Sequence, residues 1–179
     1  PHSVGYLYSA FTDFLGFRVP GGEGKVMGLA GYGDDRFFAD VRAMVGLEPG
    51  GRFRLDLSWF DFQRGGTTFY GRKMVERFGP PRAPEGPLTD RDRALAAAVQ
   101  HVTETIGFHL VGELLARTGC RNLVIAGGVG LNGDFNGRIL TETPFRGLFV
   151  QPAAHDASRA RGNALDDADH VRAGRGRAS

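Results

Sequence analysis

The stretch Asn122 to Asn136, NLVIAGGVGLNGDFN, constrains this chain most, because an apolar run stops at a glycine pair and a helix-like segment follows at once. Leu123, Val124, Ile125 and Ala126 form a short continuous apolar run, the pattern of a strand buried on both faces of a mostly parallel sheet. Gly127 and Gly128 follow without a spacer. Glycines at a strand end let the backbone turn sharply and let a ligand approach main-chain N–H groups with no Cβ in the way. That geometry suits a phosphate or a nucleotide. A tight strand-to-helix turn with no ligand accounts for the same two glycines, so the surrounding pattern has to decide.

At 179 residues the chain is long enough for one domain with a substantial core, or for half of a larger one. Its 41% hydrophobic content is that of a soluble globular protein, and no apolar run approaches a membrane span. It carries no signal peptide, but it begins at Pro1 without an initiator Met, so a targeting segment upstream is not visible in it. The single cysteine, Cys120, excludes an internal disulfide framework, fits a cytoplasmic location, and is expected to be a small buried apolar group. The net charge is only +2, and the residues after Asp156 account for all of it. The remaining body is neutral, which leaves no basic face for nucleic acid.

Along the chain, PHSVGYLYSAFTDFLGF reads as an amphipathic helix capped by Ser3 and ended by Gly16, with its tyrosines and phenylalanines in the core. GGEGKVMGLAGYG holds a short helix between glycines, and Asp35 to Val45 a second one. Arg52 to Leu57 alternates as a half-buried strand, while Trp59 to Phe62 and Thr67 to Tyr70 suggest further short strands. Arg72 to Phe78 makes a helical turn or two, and the prolines of GPPRAPEGP make Gly79 to Pro87 a surface connection.

Thr89 then caps the longest helix, with Asp92 at the capping-box position. Leu95, Val99, Val102, Ile106, Leu110 and Leu114 mark its apolar stripe and Gly119 stops it. At roughly 30 residues it is about 45 Å long and can cross a whole sheet. It feeds the organising strand directly, as a helix-to-strand crossover. Asn132 to Leu140 follows as a helix, Thr143-Pro144 breaks it, and Leu148 to Val150 is another buried strand. The loop Gln151 to Asp156 comes next, then a last helix that fades into a disordered AGRGRAS tail. Two successive strands therefore end in polar loops, where ligands sit in open α/β sheets. His101 and His109, eight apart on the long helix, are given no role.

PHSVGYLYSAFTDFLGF, GGEGKVMGLAGYG, NLVIAGGVGLNGDFNGRIL and FVQPAAHDA resemble, in this order, segments of the NodU/CmcH-type O-carbamoyltransferases, up to about Leu165. The resemblance implies an α/β fold: half of an actin-like, Hsp70-like (ribonuclease H-like) ATPase domain, shared with the tRNA threonylcarbamoylation ATPases, with a mixed sheet and a long crossover helix. Residues 1–165 resemble the second half of that domain, and 166–179 form a disordered or divergent tail. The first half and a carbamoyl-adenylate-forming domain are then expected in the full protein, and a homodimer is compatible with it.

The implied reaction moves a carbamoyl group from carbamoyl phosphate, through carbamoyl adenylate and with ATP, to a hydroxyl of a small molecule such as a sugar, an antibiotic or a nodulation factor. The resemblance places Gly127 and Gly128 against the nucleotide and Asn132 on the substrate, although Asn132 is equally a helix N-cap. It gives Glu23 and Gly24 to the ribose end, Lys25 to phosphate, and Asp156 to a divalent metal, iron in the family, beside two histidines of an HxxxH pair.

Departures accompany the match. His2, His101, His109, His155 and His170 contain no HxxxH, so that metal site is incomplete here. His155 and Ser158 stand where the family has glycine, and Gly31 where it has proline. Activity from this chain alone is not expected. An inactive nucleotide-binding remnant is the alternative, and a threonylcarbamoylation or hydrogenase-maturation relative a third, disfavoured by the opening segment. No membrane partner is implied.

Overall fold

In a computed structural model that describes residues 2–63 and 68–151, the chain divides into two units at Cys120. The first is built on one long helix, α5 (Asp90–Thr118). Thr89 starts it with a capping box: its hydroxyl oxygen accepts the Asp92 N–H while the Asp92 carboxylate accepts the Thr89 N–H at 2.9 Å. Gly119, at φ 64°, ends it in the left-handed conformation that glycine adopts without cost.

Helices α1 (Val4–Phe14), α2 (Glu23–Ala30) and α3 (Phe38–Arg42) all pack on α5. Leu7, Phe11, Phe14, Val26, Val41, Leu95, Val99, Val102 and Ile106 form the centre of the core, fully buried. The loop after α2 touches α5 backbone to backbone, since a Cβ on Gly33 would collide with the carbonyl of Arg93. α4 (Arg72–Phe78) closes the unit, with Phe78 edge-on to Phe14 and Phe37.

Several expectations change here. Asp35 to Val45 is helical only over α3, because Val45–Glu48 is a strand, β1, pairing antiparallel with β2 (Arg52–Leu55). Leu57–Trp59 is a 3-10 turn rather than strand, and of the two short strands expected nearby only the antiparallel bridge Phe60 to Tyr70 forms. Thr67 lies outside the described residues. Ser3 sits at the N-cap of α1 but makes no side-chain cap bond. Tyr6 is not core: it is half exposed and stacks on Phe62, with ring centroids 5.0 Å apart.

The α5 stripe also differs. Leu110 and Leu114 are exposed, whereas Gln100 and Glu104 are each 3% exposed. The reason is a polar chain in the core: the Tyr8 hydroxyl donates to Gln100 Oε1 at 3.0 Å, and Gln100 Nε2 donates to Glu104 Oε1 at 2.7 Å. Buried polar groups are tolerable when each finds such a partner.

In the second unit, β3 (Asn122–Ile125) and β4 (Gly147–Val150) pair in parallel, joined by α6 (Gly133–Glu142). β3 is not buried on both faces. Leu123 is buried while Val124 is 68% exposed, as is its register partner Phe149 at 57%. With one neighbouring strand and one helix, the described unit covers a single face. Cys120 is exposed, since it follows the cap of α5 in the connecting loop. The last helix and the tail lie outside the described residues.

Candidate functional site

The sequence-derived site residues that are described fall into one cluster in each unit. Glu23, Gly24 and Lys25 form the first turn of α2. Glu23 is committed locally, its Oε1 accepting the Ser9 hydroxyl at 3.2 Å and its Oε2 the Gly21 N–H at 2.7 Å. These bonds tie α1 to the start of α2, and they place a carboxylate where the helix dipole stabilises it. Each oxygen keeps a second acceptor position, so the carboxylate can still take a hydroxyl. A Cβ at Gly24 would meet nothing within 4 Å, so that turn is open. Lys25 is exposed, its Nζ 5.8 Å from the centroid of the Phe17 ring.

Gly127, Gly128 and Asn132 share the turn after β3. Gly127 sits at φ 99° and ψ 162°, a conformation that only glycine takes readily, and it redirects the chain into a 3-10 turn, Gly128–Leu131. Gly127 and Gly128 are exposed, and a Cβ at Gly128 would meet nothing within 4 Å. The leading N–H groups of a helical turn have no intrahelical acceptor, which leaves them for an anion or solvent. Asn132 is buried and caps α6: its Oδ1 accepts the Phe135 N–H at 3.0 Å.

Two residues that pattern reading passed over, Asn136 and Gly130, hold the glycine turn in shape. Asn136, one turn beyond Asn132 on α6, donates from Nδ2 to the Gly130 carbonyl at 2.8 Å, and its Oδ1 is buried without a hydrogen-bond partner. Gly130 lies against β3, where a Cβ would stand 2.8 Å from Ile125 Cγ2. The i, i+4 repeat of Asn-Gly in NGDFNG was the available signal. His109, given no role above, bonds through Nε2 to the carbonyls of Glu48 at 2.9 Å and Arg52 at 3.1 Å, fastening the β1–β2 hairpin to α5.

For the implied metal, no group of three or more His, Cys, Asp or Glu side chains among the described residues can hold an ion. Asp156 and His155 lie outside the described residues.

The family model for the carbamoyltransferase N-terminus matches residues 1–165. The chain belongs to the carbamoyltransferase family. It is 44% identical over 167 residues to an uncharacterised protein of Synechocystis sp., covering 92% of this chain and 27% of that protein. It is 37% identical over 164 residues to the nodulation protein NolNO of Sinorhizobium fredii, covering 91% of this chain and 22% of that protein. It is also 32% identical over 147 residues to a tRNA N6-adenosine threonylcarbamoyltransferase of Gloeobacter violaceus, covering 82% and 38%. The chain thus spans about a quarter of the length of the first two relatives. In the described residues the fold is mixed α/β, and no helix is long and apolar enough to cross a membrane.

Proposed function

We propose that this chain is the nucleotide-handling portion of an ATP-dependent O-carbamoyltransferase that delivers a carbamoyl group from carbamoyl phosphate, by way of carbamoyl adenylate, to a hydroxyl of a small molecule. The family match over residues 1–165 carries this proposal. The parallel β3–β4 pair, the glycine turn and α6 support it, as does the open first turn of α2. The likeness to a threonylcarbamoyltransferase agrees with an ATPase-type domain of actin-like fold. Action in the cytoplasm belongs to the same reading.

In the transfer step the acceptor oxygen attacks the carbamoyl carbon, the new C–O bond forms, the bond to AMP breaks, and the hydroxyl proton passes to a base. The glycine turn offers N–H groups to anionic oxygen, and Asn132 orients the substrate with the side chain that caps α6. Glu23 accepts from the ribose, and Lys25 faces phosphate. Asp156 is assigned to a divalent metal, which when bound supplies Lewis acidity. Among the described residues no group of three or more His, Cys, Asp or Glu side chains gathers to hold that ion.

The test is a full-length protein supplied with ATP, carbamoyl phosphate and a panel of sugar and antibiotic-like alcohols. Carbamoylated product with release of AMP, pyrophosphate and inorganic phosphate is expected. Absence of any ATP-dependent product, with ATP binding undetected by calorimetry, overturns the proposal in favour of an inactive remnant.

A further inference from the structure

Ser9 and Thr12, both on α1, spend their hydroxyls differently. Thr12 bonds within its own helix, its Oγ1 donating to the Tyr8 carbonyl at 2.9 Å, which is the common fate of a hydroxyl inside a helix. Ser9 instead donates across to α2, its Oγ standing 3.2 Å from Glu23 Oε1. Tyr8 and Ala10, on either side of Ser9, are buried in the core, so packing fixes the backbone from which this hydroxyl projects.

The other oxygen of Glu23 is held from its own chain, Oε2 accepting the Gly21 N–H at 2.7 Å. Gly21 sits at φ 112°, and the next residue, Gly22, is pressed onto α1, where a Cβ would stand 3.1 Å from Thr12 Cγ2. Asp40, Glu48, Asp92 and Glu142 each pair with an arginine. Among the described residues, by contrast, the half-buried Glu23 carboxylate is held by neutral donors alone. A tie between two helices needs a hydrogen bond but no ion. A carboxylate fixed in this way keeps its charge and one further acceptor position on each oxygen, which equips it to receive two hydroxyl protons from a ligand.

We propose that Ser9 is a positioning residue for nucleotide recognition: with the Gly21 N–H it sets the Glu23 carboxylate to accept the two neighbouring hydroxyls of a ribose, so that the site tells a ribonucleotide from its deoxy analogues. This rests on the reading of Glu23 as a ribose contact in the function proposed above. Ser9 itself touches no ligand. Without its donor the Glu23 side chain regains rotamer freedom, and ordering the carboxylate becomes a cost of binding. That cost falls on ligands that use both oxygens.

The experiment titrates the full-length protein with ATP, 2′-deoxy-ATP and 3′-deoxy-ATP by calorimetry. The wild type is expected to prefer ATP about tenfold, the worth of one hydrogen bond to a charged group. Ser9→Ala is expected to weaken ATP and hardly move the deoxy forms, narrowing the preference to about twofold. Ser9→Thr keeps the hydroxyl and is expected to keep the preference. The double variant Ser9→Ala/Glu23→Gln is expected to match Glu23→Gln alone, because the two residues act through one carboxylate. Thr12→Val, which loses a hydroxyl bonded within α1, is expected to leave the preference unchanged. Alanine is the best helix former, and a thermal melt of each variant keeps loss of fold apart from loss of affinity.

An equal loss for all three nucleotides in Ser9→Ala reduces the bond to a tie between helices and overturns the positioning role, as does an unchanged preference. ATP and its deoxy forms bound alike by the wild type overturns it too, and leaves the nucleotide function standing. Absence of ATP binding overturns both. An effect of Ser9→Ala confined to the affinity for an acceptor sugar, with ATP unmoved, overturns ribose as the ligand of Glu23.

Discussion

Asn132 and Phe135 join the glycine turn to the helix behind it. Asn132 Oδ1 accepts the Phe135 N–H at 3.0 Å, while the backbone N–H of Asn132 closes the preceding turn on the Val129 carbonyl at 3.0 Å. One residue therefore fixes both the exit of the turn and the start of α6.

Replacing Asn132 by Ala is expected to destabilise the chain by about 1 kcal/mol, the usual value of a lost N-cap. Asn132→Asp keeps the cap acceptor and removes the side-chain donor. If Asn132 also contacts nucleotide, Asp restores stability in urea melts but not ATP affinity in calorimetry. Restoration of both would leave Asn132 as a cap alone.

Asn136 separates donor from acceptor in the same way. Asn136→Asp places a second acceptor against the Gly130 carbonyl and is expected to cost about 1–3 kcal/mol. Asn136→Leu loses the same bond but also removes the unpartnered Oδ1, so it is expected to cost less. Paired denaturation curves give the order, and a larger loss for Leu contradicts the assignment.

His109 donates from Nε2, since both partners are carbonyl oxygens. His109→Ala is expected to cost about 1 kcal/mol, with amide exchange accelerated selectively in Val45–Glu48 and Arg52–Leu55. Uniform acceleration across α1 and α5 contradicts a local fastening.

Asp92 makes the N-terminus of α5 sensitive to acid. Burial pushes its pKa up, but the Thr89 N–H and hydroxyl and the Arg91 guanidinium outweigh that and hold it below the usual 3.8. A carboxyl group depressed in the folded state stabilises above its unfolded value and loses that contribution as pH falls through the folded one. Stability is therefore expected to drop below 3.8. Asp92→Asn, lower in stability at neutral pH, loses this part of the acid response. Parallel slopes for the two proteins in acid urea melts rule it out.

The features legible in the sequence are those set by near neighbours. Thr89 with Asp92, Gly119, and the step from β3 through Gly127 to Asn132 each depend on residues three or four apart. β1 was not legible, because Val45 becomes strand only by pairing with Leu55 across the hairpin. The burial of Gln100 and Glu104 depends on Tyr8, ninety-two positions from Gln100. Exposure of Leu110, Val124 and Cys120 likewise depends on what lies over each, which no local pattern records. The candidate site divides in the same manner. Its glycines and Asn132 were visible as motif, whereas the bond from the Ser9 hydroxyl to Glu23 joins residues fourteen positions apart on two helices.

The contact of Gly33 with the Arg93 carbonyl leaves no slack between the end of α2 and the long helix. At the other end of α2 stand Glu23 and Lys25. The helix is thus pinned at both ends, by Glu23 to Ser9 of α1 and by Gly33 to α5, and a Cβ at position 33, against the Arg93 carbonyl oxygen, would push it off the long helix without touching its first turn.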